Sequence, residues 1–134
     1  MRISRSTGYA LLAAGYIAKH QREKTVLSQD ISKEYDIPLE YLLKILQQMV
    51  RANVLRSKRG PRGGFSLAKP PNKITMLQII EAVEGPMTSQ LNLAEQTRGE
   101  KFSVRAEQTY EKAIAQARNI FAKAKLSSLV QSKK

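Results

Sequence analysis

The chain has 134 residues, no cysteine, one histidine, and 23 basic against 11 acidic side chains, for a net charge of +12. Without thiols there are no disulfides, thiolate metal ligands or cysteine nucleophiles, and His20 cannot build a metal site alone, so neither a metal nor a cofactor is expected. No apolar run reaches the roughly 20 residues of a membrane span, and Met1-Arg2-Ile3-Ser4-Arg5 leads into an amphipathic pattern with no signal-peptide cleavage region, so a cytoplasmic protein with no membrane partner is expected.

Residues 5–20, with Tyr9, Ala10, Leu11, Leu12, Ala13, Ala14, Tyr16 and Ile17, predict a largely buried first helix. A polar turn at Arg22-Glu23-Lys24 and a short strand at Thr25-Val26-Leu27 follow. Ser28 suits the N-cap of a second helix running to Tyr35, with Asp30 in its positive first turn. Asp36-Ile37-Pro38 is a tight connection, and Pro38 fits the first turn of a third helix, about 38–52, where no amide donor is missed. That third helix is the clearest amphipathic element. Leu39, Leu42, Leu43, Leu46, Met49 and Val50 mark its apolar face, and Glu40, Tyr41, Lys44, Gln47, Gln48 and Arg51 its polar one. Asn53 closes it in a left-handed conformation.

Two strand-like runs, Val54–Lys58 and Phe65–Ala68, enclose Arg59-Gly60-Pro61-Arg62-Gly63-Gly64, whose glycines and proline predict a hairpin turn. Gly63 and Gly64 are the expected positive-φ positions. After the linker Lys69–Lys73, Thr75 and Gln78 form a T-x-x-Q capping box with Ile74 and Ile79 at the staple positions, and Gly85-Pro86 stops the helix it starts. Residues 87–102 lack a usable period and read as a loop with one helical turn. From Ser103 to about Lys125 the pattern is helical again, over roughly 33 Å. Ala106, Tyr110, Ala113, Ala117, Ile120 and Ala124 form an a/d seam that Ile114 and Phe121 widen, so two such helices can approach closely and a homodimer is expected. The resulting fold class is mainly α with a small β-hairpin wing: a winged helix-turn-helix domain over 1–74, and over 75–134 a connecting helix, a sensor-like loop and a long C-terminal dimerisation helix.

Charge distribution supplies the functional signal. Between Glu40 and Glu81 there is no acid but eight bases, Lys44, Arg51, Arg56, Lys58, Arg59, Arg62, Lys69 and Lys73. One sign of charge over that length points to a polyanion, nucleic acid before membrane. The DNA major groove admits one helix, and the third helix offers Tyr41, Lys44, Gln47, Gln48 and Arg51 as donors to bases or phosphates. A hairpin beside it reaches the adjacent minor groove, whose negative potential favours an inserted arginine, Arg59 or Arg62. Each element alone has a plainer explanation, a packing helix or an ordinary turn; their order, with the basic run laid over both, carries the reading.

The stretches Ile37-Pro38-Leu39-Glu40-Tyr41-Leu42 and Asn53-Val54-Leu55-Arg56-Ser57-Lys58-Arg59-Gly60-Pro61-Arg62-Gly63-Gly64-Phe65 resemble the Rrf2 family of bacterial winged helix-turn-helix transcriptional regulators. Met1-Arg2-Ile3-Ser4 with Tyr9-Ala10, and Glu84-Gly85-Pro86, also fit. The resemblance is close over residues 1–86 and loose over 103–130. It implies double-stranded DNA as partner and a homodimer in which the long C-terminal helix crosses its counterpart. It further implies DNA contacts from Arg2, Ser4, Arg5 and Tyr9 in the first helix and from Glu40, Tyr41 and their neighbours in the third, with Arg59 entering the minor groove. Ser28 and Gln29 at the start of the second helix, Pro38 and Leu39, and the wing residues Lys58, Gly60, Pro61, Arg62 and Gly63 complete the expected DNA-facing set. Many members hold an iron–sulfur cluster on three cysteines after the position of Gly85. This chain departs from that pattern: only Ser89, Ala94 and Ser103 stand as substitutes, so function without a cluster is expected, with a small-molecule or protein effector acting through 87–102.

Other classes fare worse. An enzyme lacks a nucleophile motif, a phosphate loop and any histidine besides His20. The alternative is a nonspecific architectural DNA- or RNA-binding protein, although 6% aromatic residues offer no base-stacking platform.

Overall fold

The structure is a computed structural model that describes residues 3–20 and 24–131; the turn expected at Arg22 and Glu23, and Arg2, lie outside the described residues. Helix α1 (Arg5–Lys19) begins at Ser4, whose hydroxyl accepts from the Thr7 amide and satisfies one of the free donors at the helix start. Its buried face is Thr7, Ala10, Ala13, Ala14, Ile17 and Ala18. Against it pack α2 (Ser28–Tyr35), α3 (Leu39–Arg51) and α4 (Met76–Glu84).

The α2–α3 turn is built as a left-handed residue, Asp36 (φ 54°), followed by buried Ile37, whose amide bonds the Ser32 carbonyl at 3.0 Å while the Ser32 hydroxyl donates to the Ile37 carbonyl at 2.6 Å. Ser28 is the first helical residue and not the cap: Leu27 holds the cap position without a side-chain bond, and the Ser28 hydroxyl turns to Gln29. Pro38 likewise caps α3 from outside its first turn. The buried face of α3 is Leu42, Ile45, Leu46 and Met49, an unbroken i, i+3, i+4, i+7 row. Leu43, expected in the core, lies about 100° round the helix from Leu42 and is exposed, and Ile45 fills the place instead. Asn53 does end the helix at φ 62°.

Strands β1 (Leu55–Lys58) and β2 (Gly64–Leu67) pair antiparallel, with Leu55 opposite Leu67 and Lys58 opposite Gly64. Val26 makes a single bridge on the other edge of β2, exchanging two 2.8 Å backbone bonds with Phe65. The linker after β2 contains a single 3₁₀ turn, Pro71–Lys73. At α4 the capping box is complete: the Thr75 hydroxyl accepts from the Gln78 amide and the Gln78 side chain accepts from the Thr75 amide. Gly85 (φ 83°) ends it.

The segment after Gly85 contains α5 (Leu93–Gln96) and leads to α6 (Lys101–Lys123). The long helix thus starts two residues before the sequence suggests and stops short of Ala124, which is extended. Its end has a tertiary cause. The Met76 amide bonds the Ala124 carbonyl and the Leu126 amide bonds the Ile74 carbonyl, both at 2.8 Å, a bridge that helical geometry at 124–126 would forbid. The chain then makes a further short helix, α7 (Leu126–Leu129), which the sequence reading did not anticipate; it lays Leu126 (2% exposed) into the core and packs against α1. The core accordingly runs without a break from α1–α3 through Ile74 and Ile79 to Leu126.

Truncating a fully buried leucine costs about 2–5 kcal/mol. Leu126→Ala is therefore expected to lower unfolding stability by that amount in urea. A loss of well under 1 kcal/mol would mean that the last helix is not part of the cooperative core.

Candidate nucleic-acid interface

The first turn of α1 and the first turn of α3 meet at Tyr41. Its hydroxyl shares a 2.5 Å hydrogen bond with the Ser6 hydroxyl, and its ring meets Tyr9 edge-on, centroids 5.6 Å apart at 84°. Tyr41 remains 40% exposed, so it is held from behind and open in front. Beyond it an open groove runs along α3, lined by Ser6, Pro38, Glu40, Tyr41, Leu43, Lys44, Gln47, Gln48 and Arg51. Glu40, Lys44, Gln47 and Arg51 are exposed and Gln48 half-buried, which places the predicted polar face outward; Leu39 is half-buried. At α1, Arg5 is exposed and Tyr9 half-buried. In α2, Gln29 is exposed but Ser28 is buried at the edge of the core.

The wing is fixed through its backbone. The Thr25 hydroxyl donates to the carbonyls of Arg62 (3.1 Å) and Gly63 (3.3 Å), and the Gly63 amide donates to the Gly60 carbonyl at 2.9 Å. Lys58, Arg59, Gly60, Pro61 and Arg62 are all exposed. Of the two expected positive-φ glycines, Gly64 has that conformation and Gly63 does not. Gly64 has φ 144° and a Cβ there would stand 2.6 Å from the Val26 carbonyl oxygen. Gly63 is not at positive φ; a Cβ would stand 2.4 Å from the Lys58 carbonyl oxygen and 2.9 Å from that of Gly60, so close approach excludes a side chain. The second left-handed glycine of the turn is Gly60 (φ 104°).

Behind this surface lies a cluster that the sequence reading missed. One carboxylate oxygen of Glu84, at the end of α4, accepts from the Ser4 hydroxyl, from the Ser4 amide at 3.2 Å and from the Thr7 hydroxyl at 2.6 Å. α1 has no acid in its own first turn, so Glu84 brings a negative charge to the positive end of the helix from another element. The Ser4 hydroxyl, expected at DNA, is engaged here and in capping α1. Residues 80 apart give no local signal of this contact; the only sequence sign is a serine and a threonine at the two ends of a cap.

Of the expected dimer seam, Tyr110, Ala113 and Ile120 (65%) are exposed, Ala106 and Ala117 are half-buried, and Ala124 lies past the helix end. Phe102 (77% exposed) extends the same row by four residues. Ile114 and Phe121 are half-buried on the flank of Arg118, which reaches Glu81 of α4 at 3.5 Å. His20 ends α1, stacked on Tyr16 at 4.0 Å and bonded to its carbonyl. Among the described residues no helix is long and apolar enough to cross a membrane.

Comparison with known proteins agrees with this fold. The family model Rrf2, described as an iron-dependent transcriptional regulator, matches residues 3–132. The chain is similar to a provisional HTH-type transcriptional regulator of Aquifex aeolicus, 43% identical over 81 residues (60% of this chain, 56% of that protein). It is also similar to the HTH-type transcriptional regulator IscR of Cereibacter sphaeroides, 36% identical over 86 residues (63% and 56%). The matches thus span about half the length of these curated relatives. Among solved structures, CymR, the global cysteine regulator of B. subtilis, superposes with a TM-score of 0.85 at 22% identity, covering 100% of this chain and 99% of that one. T. potens IscR does so with a TM-score of 0.75 at 20% identity, covering 100% and 93%. These likenesses establish the winged-helix fold with a long C-terminal helix.

The residues present do not fit an iron–sulfur cluster. The chain has no thiolate to offer, and among the described residues no group of three or more histidines or carboxylates could hold a metal ion. The segment in question closes on itself instead. The Ala94 amide donates to Glu107 at 2.6 Å, and the Thr97 hydroxyl donates to that of buried Ser103 at 2.8 Å.

The Ser4 hydroxyl and then the Thr7 hydroxyl hold the Glu84 carboxyl below the usual glutamate value, against an opposing effect of burial, with the Ser4 amide adding the least. A depressed folded value means that the clasp contributes stability that is complete above the unfolded value, about 4.3, and is lost as pH falls through the lower folded one. Wild type should lose stability over that acid window more steeply than Glu84→Gln, as read by circular dichroism in mild denaturant. Equal acid slopes would show that the charge on Glu84 adds nothing.

Proposed function

The chain belongs to the Rrf2 family of transcriptional regulators, not to a family of enzymes, and from that premise we propose that it is a sequence-specific regulator of transcription. It binds duplex DNA as a two-fold homodimer on a palindromic operator and represses by occupying the promoter. The observation that carries this reading is the groove formed by the start of α1 and the outer face of α3, together with an exposed arginine-bearing wing, in a chain without an acid between Glu40 and Glu81.

On this reading α3 enters the major groove. Tyr41, Lys44, Gln48 and Arg51 donate to bases or phosphates, and Glu40 accepts from a cytosine amino group. Pro38 and Leu39 set the approach of that helix, while Arg5, Tyr9 and Gln29 contact the flanking backbone. Arg59 enters the minor groove, with Lys58 and Arg62 on phosphates and Gly60, Pro61 and Gly63 giving the wing its close approach. The exposed row of Tyr110, Ala113 and Ile120, with Ala106 and Ala117 beside it, supports pairing of two α6 helices across a two-fold axis. The two α3 helices then meet half-sites about one helical turn, roughly 34 Å, apart. With no ligand set for a cluster, repression proceeds without one. Any effector, a small molecule or a protein, acts through the 87–102 segment.

The test is binding to a duplex selected from genomic fragments, against random duplex. Arg59→Ala should cost about 1–3 kcal/mol and relax preference at the position it reads. Lys58→Ala should weaken all sequences alike and reduce the salt slope by about one. These values should be unchanged after anaerobic incubation with iron and sulfide; an absorbing cluster that alters affinity would refute function without one. Equal affinity of wild type for selected and random duplex would favour an architectural protein. In sedimentation the chain should be a dimer at micromolar concentration and Ile120→Lys a monomer; a monomeric wild type refutes the assembly.

A further inference from the structure

No hydrogen bond joins Tyr41 to Glu84, yet the two are linked through one turn of helix. Glu84 binds Ser4 and Thr7, while Ser6, between them in the chain, and Tyr9, on the next turn, hold Tyr41. The intervening pieces are stiff. Thr7 is fully buried (0% exposed), and its hydroxyl is bonded to Glu84 and Ser4, so the rotation of α1 about its axis is tied to that carboxylate. The Gly8 amide bonds the Ser4 carbonyl at 3.1 Å, closing the turn that carries Ser6.

The same side of α4 also reaches the remainder of the chain. Glu81, three residues before Glu84, accepts from the Met87 amide at 2.7 Å and meets Arg118 of α6 at 3.5 Å. The last turn of α4 therefore holds the 87–102 segment and the long helix with one carboxylate, and the start of α1 with the next. Gly85 at φ 83° turns the chain away immediately afterwards.

We infer that Glu84 is a positioning residue for DNA recognition: its clasp on Ser4 and Thr7 sets the pose of Tyr41 through Ser6 and Tyr9, and makes α4 the member by which displacement of α6 or of residues 87–102 reaches the reading surface. The inference rests on the DNA-binding reading for its consequence, but not for its mechanical content. A carboxylate is suited to the task because a single oxygen gathers three donors on one turn of α1. An apolar contact there would leave the buried Thr7 hydroxyl without its strongest acceptor and would not fix the turn rotationally.

The experiment compares Glu84→Ala, Glu84→Gln and Glu84→Asp with wild type by two readouts: the ring resonances of Tyr41, and the ratio of affinities for selected over random duplex. Glu84→Ala should shift the Tyr41 ring signals and lower that ratio by roughly fivefold or more, the small end of the loss of one specific contact. Glu84→Gln, which keeps an oxygen at the same reach, should restore most of both. Glu84→Asp keeps the charge but falls one methylene short; it should behave as Glu84→Ala does, and it serves in its place if the alanine variant fails to fold. Tyr41 signals unmoved in a folded Glu84→Ala or Glu84→Asp protein would overturn the inference, as would an affinity ratio unchanged beside shifted signals. If wild type itself did not distinguish the two duplexes, the regulator reading would fall, and the Tyr41 signals alone would still decide whether the clasp sets the residue's pose.

Discussion

The alanine face of α1 is the constraint on which the molecule depends. Ala10, Ala13 and Ala14 are all fully buried, and the elements around them, α3, α4, α7 and β2, pack against the same short helix. Side chains ending at Cβ let several neighbours approach one axis, and in an interior packed at crystal-like density there is no room for more. A larger residue at any of these positions would push apart elements whose spacing sets how the polar face of α3 is presented, at a typical overpacking cost of about 1–3 kcal/mol. The bulk of the core comes from the neighbours, as Leu42, Ile45, Leu46 and Met49 of α3 and Ile79 of α4. The small face and the large ones are complementary, and the polar side of α3 is turned outward as a result.

Much of this was legible in the chain because the signals were local. A capping box is a four-residue rule, and Thr75 with Gln78 obeys it in both directions. Asn53 ends its helix where a left-handed residue was expected, and the hairpin follows from glycines and a proline within a few positions of one another. What sequence missed depends on partners distant in the chain. Nothing near Ala124 announces that the helix must stop; the stop comes from Ile74 and Met76, some fifty residues earlier, which take the backbone bonds that a continued helix would use. The choice of Ile45 over Leu43 is of the same kind, since both are apolar and only the direction of the surrounding helices decides between them. Gly63 is needed for closeness to the Lys58 carbonyl oxygen, a fact of the folded turn and not of intrinsic φ preference.

The functional surface divides similarly. The polar face of α3 and the basic wing could be read from charge and period alone. The support behind them could not. Glu84 reads as an ordinary last-turn glutamate of α4, and only the folded chain brings it to the first turn of α1, where it gathers Ser4 and Thr7. Local patterns thus identify which residues form the exposed polar and basic surface, while long-range contacts determine how rigidly those residues are presented.

The construction of the wing has a consequence for descent. Its turn is held by carbonyls, amides, two close-packed glycines and the hydroxyl of Thr25, none of which involves the side chains at 58, 59 and 62. Mutation at those three positions is accordingly nearly free of folding cost, whereas mutation at 63 or 64 is not. On the DNA-binding reading, a duplicated copy of such a gene can drift to new promoters by changing the tip of its wing while its scaffold stays under purifying selection. Paralogues built this way should diverge fastest at the tip and slowest in the glycines a few residues away.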